Sequence, residues 1–243
     1  MTTYLIKNPE IEAIGPSLWL EKGHTLIVAD LHIGYEAALN KEGILVPRFQ
    51  FKETEKMFKQ LFSHLRDKKI KTVVVNGDLK HEFGEISSQE WRETLNILDL
   101  LGRHCENIIL VKGNHDTILG PIATKRNLKI VDYYCFGDIC ILHGDKIMKN
   151  KDIEKAKVII IGHEHPAISL REGSKVEKYK CFLLGKWKSK KLIVMPSFFP
   201  LVEGTDIRKE ELLSPYLYQN LKNFDIFILG DNVYSFGKLT NIR

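Results

Sequence analysis

The sequence predicts an α/β protein built on two packed sheets, and three observations carry that prediction. Two successive units of apolar strand, amphipathic helix and apolar strand fill residues 25–111, which implies a parallel sheet core joined by right-handed crossovers. Beyond Asn114 the texture changes to short strands punctuated by turn signals, which implies a second, mostly antiparallel sheet packed on the first. Finally, five of the apolar runs stop abruptly and deliver Asp, Asn or His at their carboxyl ends, where open α/β sheets gather their sites.

In chain order, Tyr4-Leu5-Ile6 and Ser17 to Leu20, divided by Gly15-Pro16 and closed by Lys22-Gly23, predict an antiparallel opening to the sheet. The strand Thr25 to Ala29 runs into Asp30-Leu31-His32-Ile33-Gly34. Phe51, Met57, Phe58, Leu61, Phe62 and Leu65 then fall at helical spacing, with Lys and Glu on the opposite face. Val73-Val74-Val75 ends in Asn76-Gly77-Asp78-Leu79-Lys80-His81. Ser87-Ser88-Gln89-Glu90 reads as a helix start, with Trp91, Leu95, Leu98 and Leu101 as its buried stripe and Gly102 as its stop. The strand Ile108 to Val111 follows and leads to Gly113-Asn114-His115-Asp116.

The later strands are Lys129 to Tyr134, Ile139 to Leu142, Val158 to Ile161, Ala167 to Leu170, Tyr179 to Leu184 and Leu192 to Met195. A short helix over Leu212 to Leu221 and a final hairpin turning through Gly230-Asp231-Asn232 complete the chain. No internal repeat or linker interrupts it, so one domain over residues 1–243 is expected.

Composition narrows the class. Aliphatic, aromatic and cysteine residues make up 44% of the 243 residues and charged ones 28%, ordinary values for a globular protein. No apolar run approaches the roughly 20 residues that span a bilayer, and the N-terminus lacks a signal-peptide core, so a cytoplasmic protein is expected. In that reducing setting Cys105, Cys135, Cys140 and Cys181, none in a CxxC spacing, are expected to be buried free thiols. The net charge of +5 is too small to indicate nucleic acid by itself.

The chemistry lies in the strand ends. Asp30-x-His32 and His163-x-His165 place paired ligands two residues apart, and in extended backbone such residues point the same way. Asp78, ending a central strand, can bridge two cations, while Asn114 offers a neutral oxygen and His143 an imidazole. Mixed oxygen and nitrogen donors suit Mn, Fe, Zn or Co better than Ca or Mg.

The ordered set Asp30-x-His32, Gly77-Asp78, Gly113-Asn114-His115-Asp116, His143-Gly144 and Gly162-His163-x-His165 resembles the calcineurin-like metallophosphoesterase superfamily from residue 30 to residue 165. Gly77-Asp78-Leu79-Lys80-His81 is similar to the Gly-Asp-Leu-Phe-His of the SbcD/Mre11 nuclease branch. Ala29 to Arg48, the short length and Met195-Pro196-Ser197-Phe198-Phe199 resemble a compact subgroup, the archaeal SbcD-related and bacterial ligase-associated repair phosphoesterases. Two departures stand out: Lys80 replaces the Phe, and the capping domain of the larger nucleases is absent.

The resemblance implies a four-layer α-β-β-α sandwich of two mixed sheets flanked by helices. It also implies two divalent transition metals, Mn foremost with Zn or Fe as alternatives. Asp30, His32, Asp78 and His165 would hold one, and Asp78, Asn114, His143 and His163 the other, with His115 as the catalytic histidine. The implied reaction is hydrolysis of phosphodiesters, in nucleic acid or nucleotides and in a DNA-repair setting, by metal-activated hydroxide. His81 is expected to serve the second ester arm. The alternatives are a phosphomonoesterase and, from another class, a non-catalytic scaffold. The implied partner is a phosphoester substrate such as DNA or RNA, with no membrane, and nothing in the sequence indicates a protein partner.

Neighbouring residues have plainer readings. Asp116 could orient His115 or simply shape the turn, and Glu36, Asp145 and Glu164 read as solvated or supporting groups. His24, His64 and His104 read as structural or surface residues. Lys186, Lys188, Lys190 and Lys191 around Trp187 read as a solvated hairpin turn, with single-strand stacking as the alternative.

Overall fold

The computed structural model describes residues 3–7, 9–82, 87–116 and 128–242. The first sheet contains β1 (Thr3–Lys7), β2 (Glu10–Ile14), β3 (Ser17–Leu20), β4 (Thr25–Ala29), β5 (Thr72–Asn76), β6 (Asn107–Val111) and β7 (Lys129–Val131), in that spatial order. Pairing is antiparallel from β1 to β4 and parallel from β4 to β7.

The second sheet is built from β8 (Tyr133–Phe136), β9 (Ile139–Leu142), β10 (Val158–Ile161), β11 (Pro166–Glu172), β12 (Lys175–Trp187), β13 (Lys190–Val194), β14 (Thr205–Asp206), β15 (Asp225–Leu229) and β16 (Val233–Lys238). Its order is β14-β11-β12-β13-β10-β9-β8, with β15 paired to β12 and β16 to β15. Its centre is parallel, because β10 pairs in parallel with both β9 and β13. The expectation of a mostly antiparallel second sheet holds for five of its eight strand pairings, and residues 143–157 form the crossover that makes its centre parallel.

Among the described residues, four α-helices accompany the sheets: α1 (Tyr35–Lys41), α2 (Gln50–His64), α3 (Ser88–Gly102) and α4 (Lys151–Lys155). The unbroken apolar runs are explained by burial on both faces, since alternate residues enter different cores. Leu26, Val28, Val73 and Val75 pack against Phe58, Leu61, Leu98 and Leu101 of α2 and α3. Ile27, Ala29, Val74 and Ile109 face Ile139, Ile141, Val158, Ile160 and Ile193 between the sheets. On the outer face of the second sheet, Ile159, Ile161, Leu183 and Val194 are covered by Ile153 of α4 and by Tyr216, Leu217 and Phe224. The layers are therefore helix, sheet, sheet and a thin cover of short helix and loop.

Several local expectations change. β2 lies within the predicted opening; its alternating glutamates hid it, although Glu12 is buried and paired with Lys68 at 3.5 Å. α1 and α4 are too short to leave a periodic signal. The predicted helix at Leu212 to Leu221 is only a 3₁₀ turn at Pro215–Leu217, because Glu164 accepts the Leu213 and Ser214 amides at 2.9 and 2.8 Å and fixes an irregular approach. The run Lys129 to Tyr134 is two strands, one in each sheet, divided at Asp132. Cys135 and Cys140 are not free thiols: they sit opposite one another across β8 and β9, their Cα atoms 4.1 Å apart, and form a disulfide. Cys181 is buried and free, and Cys105 is free and half-buried.

One tie brings the C-terminal half onto the strand ends. Lys180 of β12 donates from Nζ to the Ser197 carbonyl (2.9 Å), to Ser197 Oγ (2.8 Å) and to the Phe199 carbonyl, while the Phe198 amide donates to the Ala29 carbonyl at 2.7 Å. Lys180→Met should leave these oxygens without a donor and destabilise the fold by about 1–3 kcal/mol. Urea unfolding at neutral pH would measure the loss, and an unchanged midpoint would show the lysine to be dispensable.

Candidate metal centre

The parallel strands β4, β5 and β6 of one sheet and β9 and β10 of the other end at the same edge of the sandwich, which collects their carboxyl-terminal residues. The loops are stitched side by side. Asp30 and His32 amides donate to Gly77 and Asp78 carbonyls, Ile33 to Leu79, and Gly77 to Val111. Across the seam, Asn76 Nδ2 donates to the Leu142 carbonyl at 3.1 Å and the His163 amide to Asp30 Oδ2 at 3.0 Å.

The expected extended arrangement of the paired ligands is corrected by the backbone. Asp30 (φ 54°), His32 (φ 47°), Asp78 (φ 42°), His163 (φ 63°) and His165 (φ 49°) are all left-handed, whereas among the described non-glycine residues only His24 and Lys188 share that conformation. Asp, Asn and His visit this region more readily than most residues, and such strain concentrates at functional sites. The side chains converge because each strand ends in a left-handed turn.

All nine predicted residues are brought together. Asp30, His32 and His165 form one cluster, Asp78, His143 and His163 a second, and His32, His81 and His115 a third. His32 Nε2 lies 3.3 Å from His165 Nε2, and His165 Nε2 lies 3.6 Å from Asp30 Oδ2. His143 Nε2 is 2.9 Å from Asn114 Oδ1 and 3.1 Å from His163 Nδ1. One oxygen, Asp78 Oδ2, faces both groups, at 3.9 Å from His32 Nε2 and 3.4 Å from His143 Nε2.

These separations fit cation binding. Ligand atoms about 2.1 Å from one ion stand ~3.0 Å apart at a right angle and ~3.4 Å apart at a tetrahedral one. Asp30 Oδ1 and His143 Nδ1, both buried, face each other at 3.4 Å without a well-formed hydrogen bond, a spacing two ligands of one ion would share. Burial, reinforced by His165, holds the His32 pKa down to about 3, and burial beside His143 also lowers His163; both therefore have neutral, ligand-competent rings. Burial would also depress His143, but its hydrogen bond to Asp78 and the charges of Asp30 and Asp78 raise it to about 9. In the protein alone, a proton on His143 balances the two buried carboxylates, a task a cation would take over.

Supporting residues clarify the remaining expectations. Asp116 shapes the turn: it is buried and accepts from the Gly113 amide at 3.0 Å and the Leu79 and Lys80 amides at 3.4 Å, locking the β5 and β6 loops together. His115 is set instead by its amide, which donates to Asp78 Oδ1 at 2.9 Å, and by Nδ1, which lies 2.5 Å from the His81 carbonyl. A carbonyl only accepts, so Nδ1 carries the hydrogen and Nε2 is the nitrogen suited to proton exchange. Glu36 is buried rather than solvated: its Oε1 accepts the Phe49 and Gln50 amides, and Gln50 Nε2 in turn donates to the Leu31 and His32 carbonyls. Gln50, Tyr35 and Phe199 were absent from the predicted set. Phe199 packs edge-on to His32 with centroids 5.7 Å apart, and Tyr35 touches both Phe199 and His81.

Outside the site, Trp187 packs against Tyr216 at the β12–β13 turn, in keeping with a structural hairpin. His104 stacks on Phe62. Among the described residues, no helix is long and apolar enough to cross a membrane.

A fold of two mixed sheets with an Asp-His-Asn centre at their strand ends defines a metal-dependent phosphoesterase. The chain belongs to the calcineurin-like phosphoesterase family, which matches residues 23–183. Among solved structures it is similar to the nuclease MPE of Pseudomonas putida, with 15% identity and a TM-score of 0.69 over 97% of this chain and 100% of the other. Weaker likenesses include zinc-complexed Vps29 of Entamoeba histolytica (17% identity, TM-score 0.37, 87% of this chain and 96% of that one) and a predicted phosphoesterase of Streptococcus pneumoniae (16%, 0.35, 88% and 97%). A search of curated proteins finds no match.

Gly77 provides a direct test of the packing. It has φ 80°, and a Cβ there would stand 1.9 Å from His143 Nδ1. Gly77→Ala should displace His143, lower stability by about 1–3 kcal/mol and weaken uptake of added Zn or Mn. Thermal melts and elemental analysis would read both effects, and wild-type metal uptake would contradict the assignment.

Proposed function

We propose that this chain is a single-domain, dinuclear phosphodiesterase acting on nucleic acid or nucleotides. The observation that carries the proposal is the position of Asp78 Oδ2 between the two ligand groups, the place of a shared carboxylate. Asp30, His32, Asp78 and His165 would hold one divalent ion, and Asp78, Asn114, His143 and His163 would hold the other. The donor set favours Mn, Zn or Fe over Ca or Mg. When bound, such ions neutralise phosphoryl oxygens and make hydroxide available near neutral pH.

The chain's own residues supply the rest. His115 keeps its Nδ1 hydrogen on the His81 carbonyl and exchanges a proton through Nε2, delivering it to the leaving oxygen. His81 lies three residues beyond Asp78; its Nδ1 is 3.5 Å from His32 Nδ1, and its ring stacks near His115 at 5.4 Å. A diester carries one negative charge where a monoester carries nearly two, so a pair of cations alone favours the monoester. A half-buried imidazole beside the metal ligands can contact the second ester arm and redress that bias. Likeness over the full length of a nuclease supports nucleic acid as the substrate class. The presence of every predicted ligand together with His115 argues against a binding-only scaffold.

Metal-replete protein should carry two ions per chain by elemental analysis. A value at or below one across Mn, Zn and Fe, with the fold intact, would remove the dinuclear assignment. Wild type should prefer bis-p-nitrophenyl phosphate to p-nitrophenyl phosphate, and His81→Ala should reduce that preference. Preference for the monoester, or a ratio unchanged by the substitution, would turn the assignment toward a general phosphatase.

A further inference from the structure

The loop that carries His81 is gripped by two buried charged residues that the proposed chemistry does not use. Glu90 stands in the first turn of α3, fully buried, with its amide donating to Ser87 Oγ at 3.0 Å. A glutamate at this position ordinarily reaches back to the amide of the capping residue. Here Glu90 Oε1 instead accepts the His81 amide at 3.1 Å and the Glu82 amide at 3.2 Å. Lys80, where the resembled motif has Phe, is also fully buried, and its Nζ donates to the Glu82 carbonyl. The Glu82 residue is thus held at its amide by an anion and at its carbonyl by a cation.

Both side chains forgo hydration, and a buried charge persists only where it is paired or hydrogen-bonded. What they fix is the backbone of His81, which also donates its amide to the Ile33 carbonyl at 2.9 Å and offers its own carbonyl to His115. Glu90 is pressed against the opposite wall as well. A Cβ on Gly34 would come within 2.7 Å of its side chain, and Gly34 precedes Tyr35, whose ring meets the His81 ring edge-on at 4.9 Å.

We propose that Glu90, assisted by Lys80, is a positioning residue that holds His81 against the second ester arm and so sets the preference for diesters over monoesters. The inference rests on the role given to His81 above. Because Glu90 touches the backbone of the His81 loop, it acts through that histidine and its effect should vanish when the imidazole is removed.

A double-mutant cycle tests this, with kcat/KM measured on bis-p-nitrophenyl phosphate and p-nitrophenyl phosphate and metal content recorded for each variant. Glu90→Ala should lower the diester-to-monoester ratio by roughly tenfold, equivalent to about 1.4 kcal/mol. Glu90→Gln, whose amide oxygen can accept the same two N–H groups, should restore most of it. On a His81→Ala background, Glu90→Ala should leave the ratio where His81→Ala put it. The same tenfold fall on that background, or equal losses on both esters, would overturn the proposal. Should Glu90→Ala fail to fold, Lys80→Met enters the cycle in its place under the same two criteria. Failure of the underlying function is visible separately, in wild type and His81→Ala alone.

Discussion

Two carboxylates, Asp30 and Asp78, are taken almost wholly out of water at the seam between two sheets, and the surrounding architecture answers that constraint. Like charges so placed repel strongly unless positive charge and hydrogen-bond donors surround them. The His163 amide serves Asp30, the His115 amide serves Asp78, and His143 faces both carboxylates. Each of these donors comes from the end of a different strand from the carboxylate it serves. The parallel register of β4 with β5 and β6, and of β9 with β10, is what makes those ends meet.

Left-handed backbone at five of the clustered Asp and His residues is costly, on the order of 1–3 kcal/mol per residue. The cost is offset by the amide ladder between loops and by Asp116, Glu36 and Glu164, three buried carboxylates that accept main-chain amides. Buried acids in this protein therefore divide into two kinds. Near the centre, one kind ends strands and faces it, and the other accepts main-chain amides of the loops around it.

Much of this was legible in the sequence because the strand ends repeat one grammar: an apolar run, then Asp, Asn or His near glycine. The pattern singled out the nine residues that the strand ends bring together, and the two-sided burial of Val73 to Val75 and Val158 to Ile161 explains why those runs were easy to see. The supporting layer was not legible. Gln50 is one polar residue at the start of an amphipathic helix, and Glu90 looks like an ordinary capping residue until the amides that donate to it are located. The disulfide was missed because a spacing of five residues says nothing until the β8–β9 register puts Cys135 opposite Cys140. The parallel centre of the second sheet was missed because α4, only five residues long, marks its crossover too faintly.

The chain passes from one sheet to the other at Asp132, between β7 and β8, and Thr3 Oγ1 of β1 donates to the Val233 carbonyl of β16 at 2.6 Å. These links join the Asn76, His163 and Phe198 hydrogen bonds in tying one sheet to the other. Asp30, His32, Asp78 and Asn114 ride on one sheet while His143, His163 and His165 ride on the other. The spacing between these two groups is set by the thickness of the apolar filling, by residues such as Ile27, Val74, Ile141 and Ile160. Changes in the volume of that filling, made far from any ligand, will be registered as shifts in metal affinity.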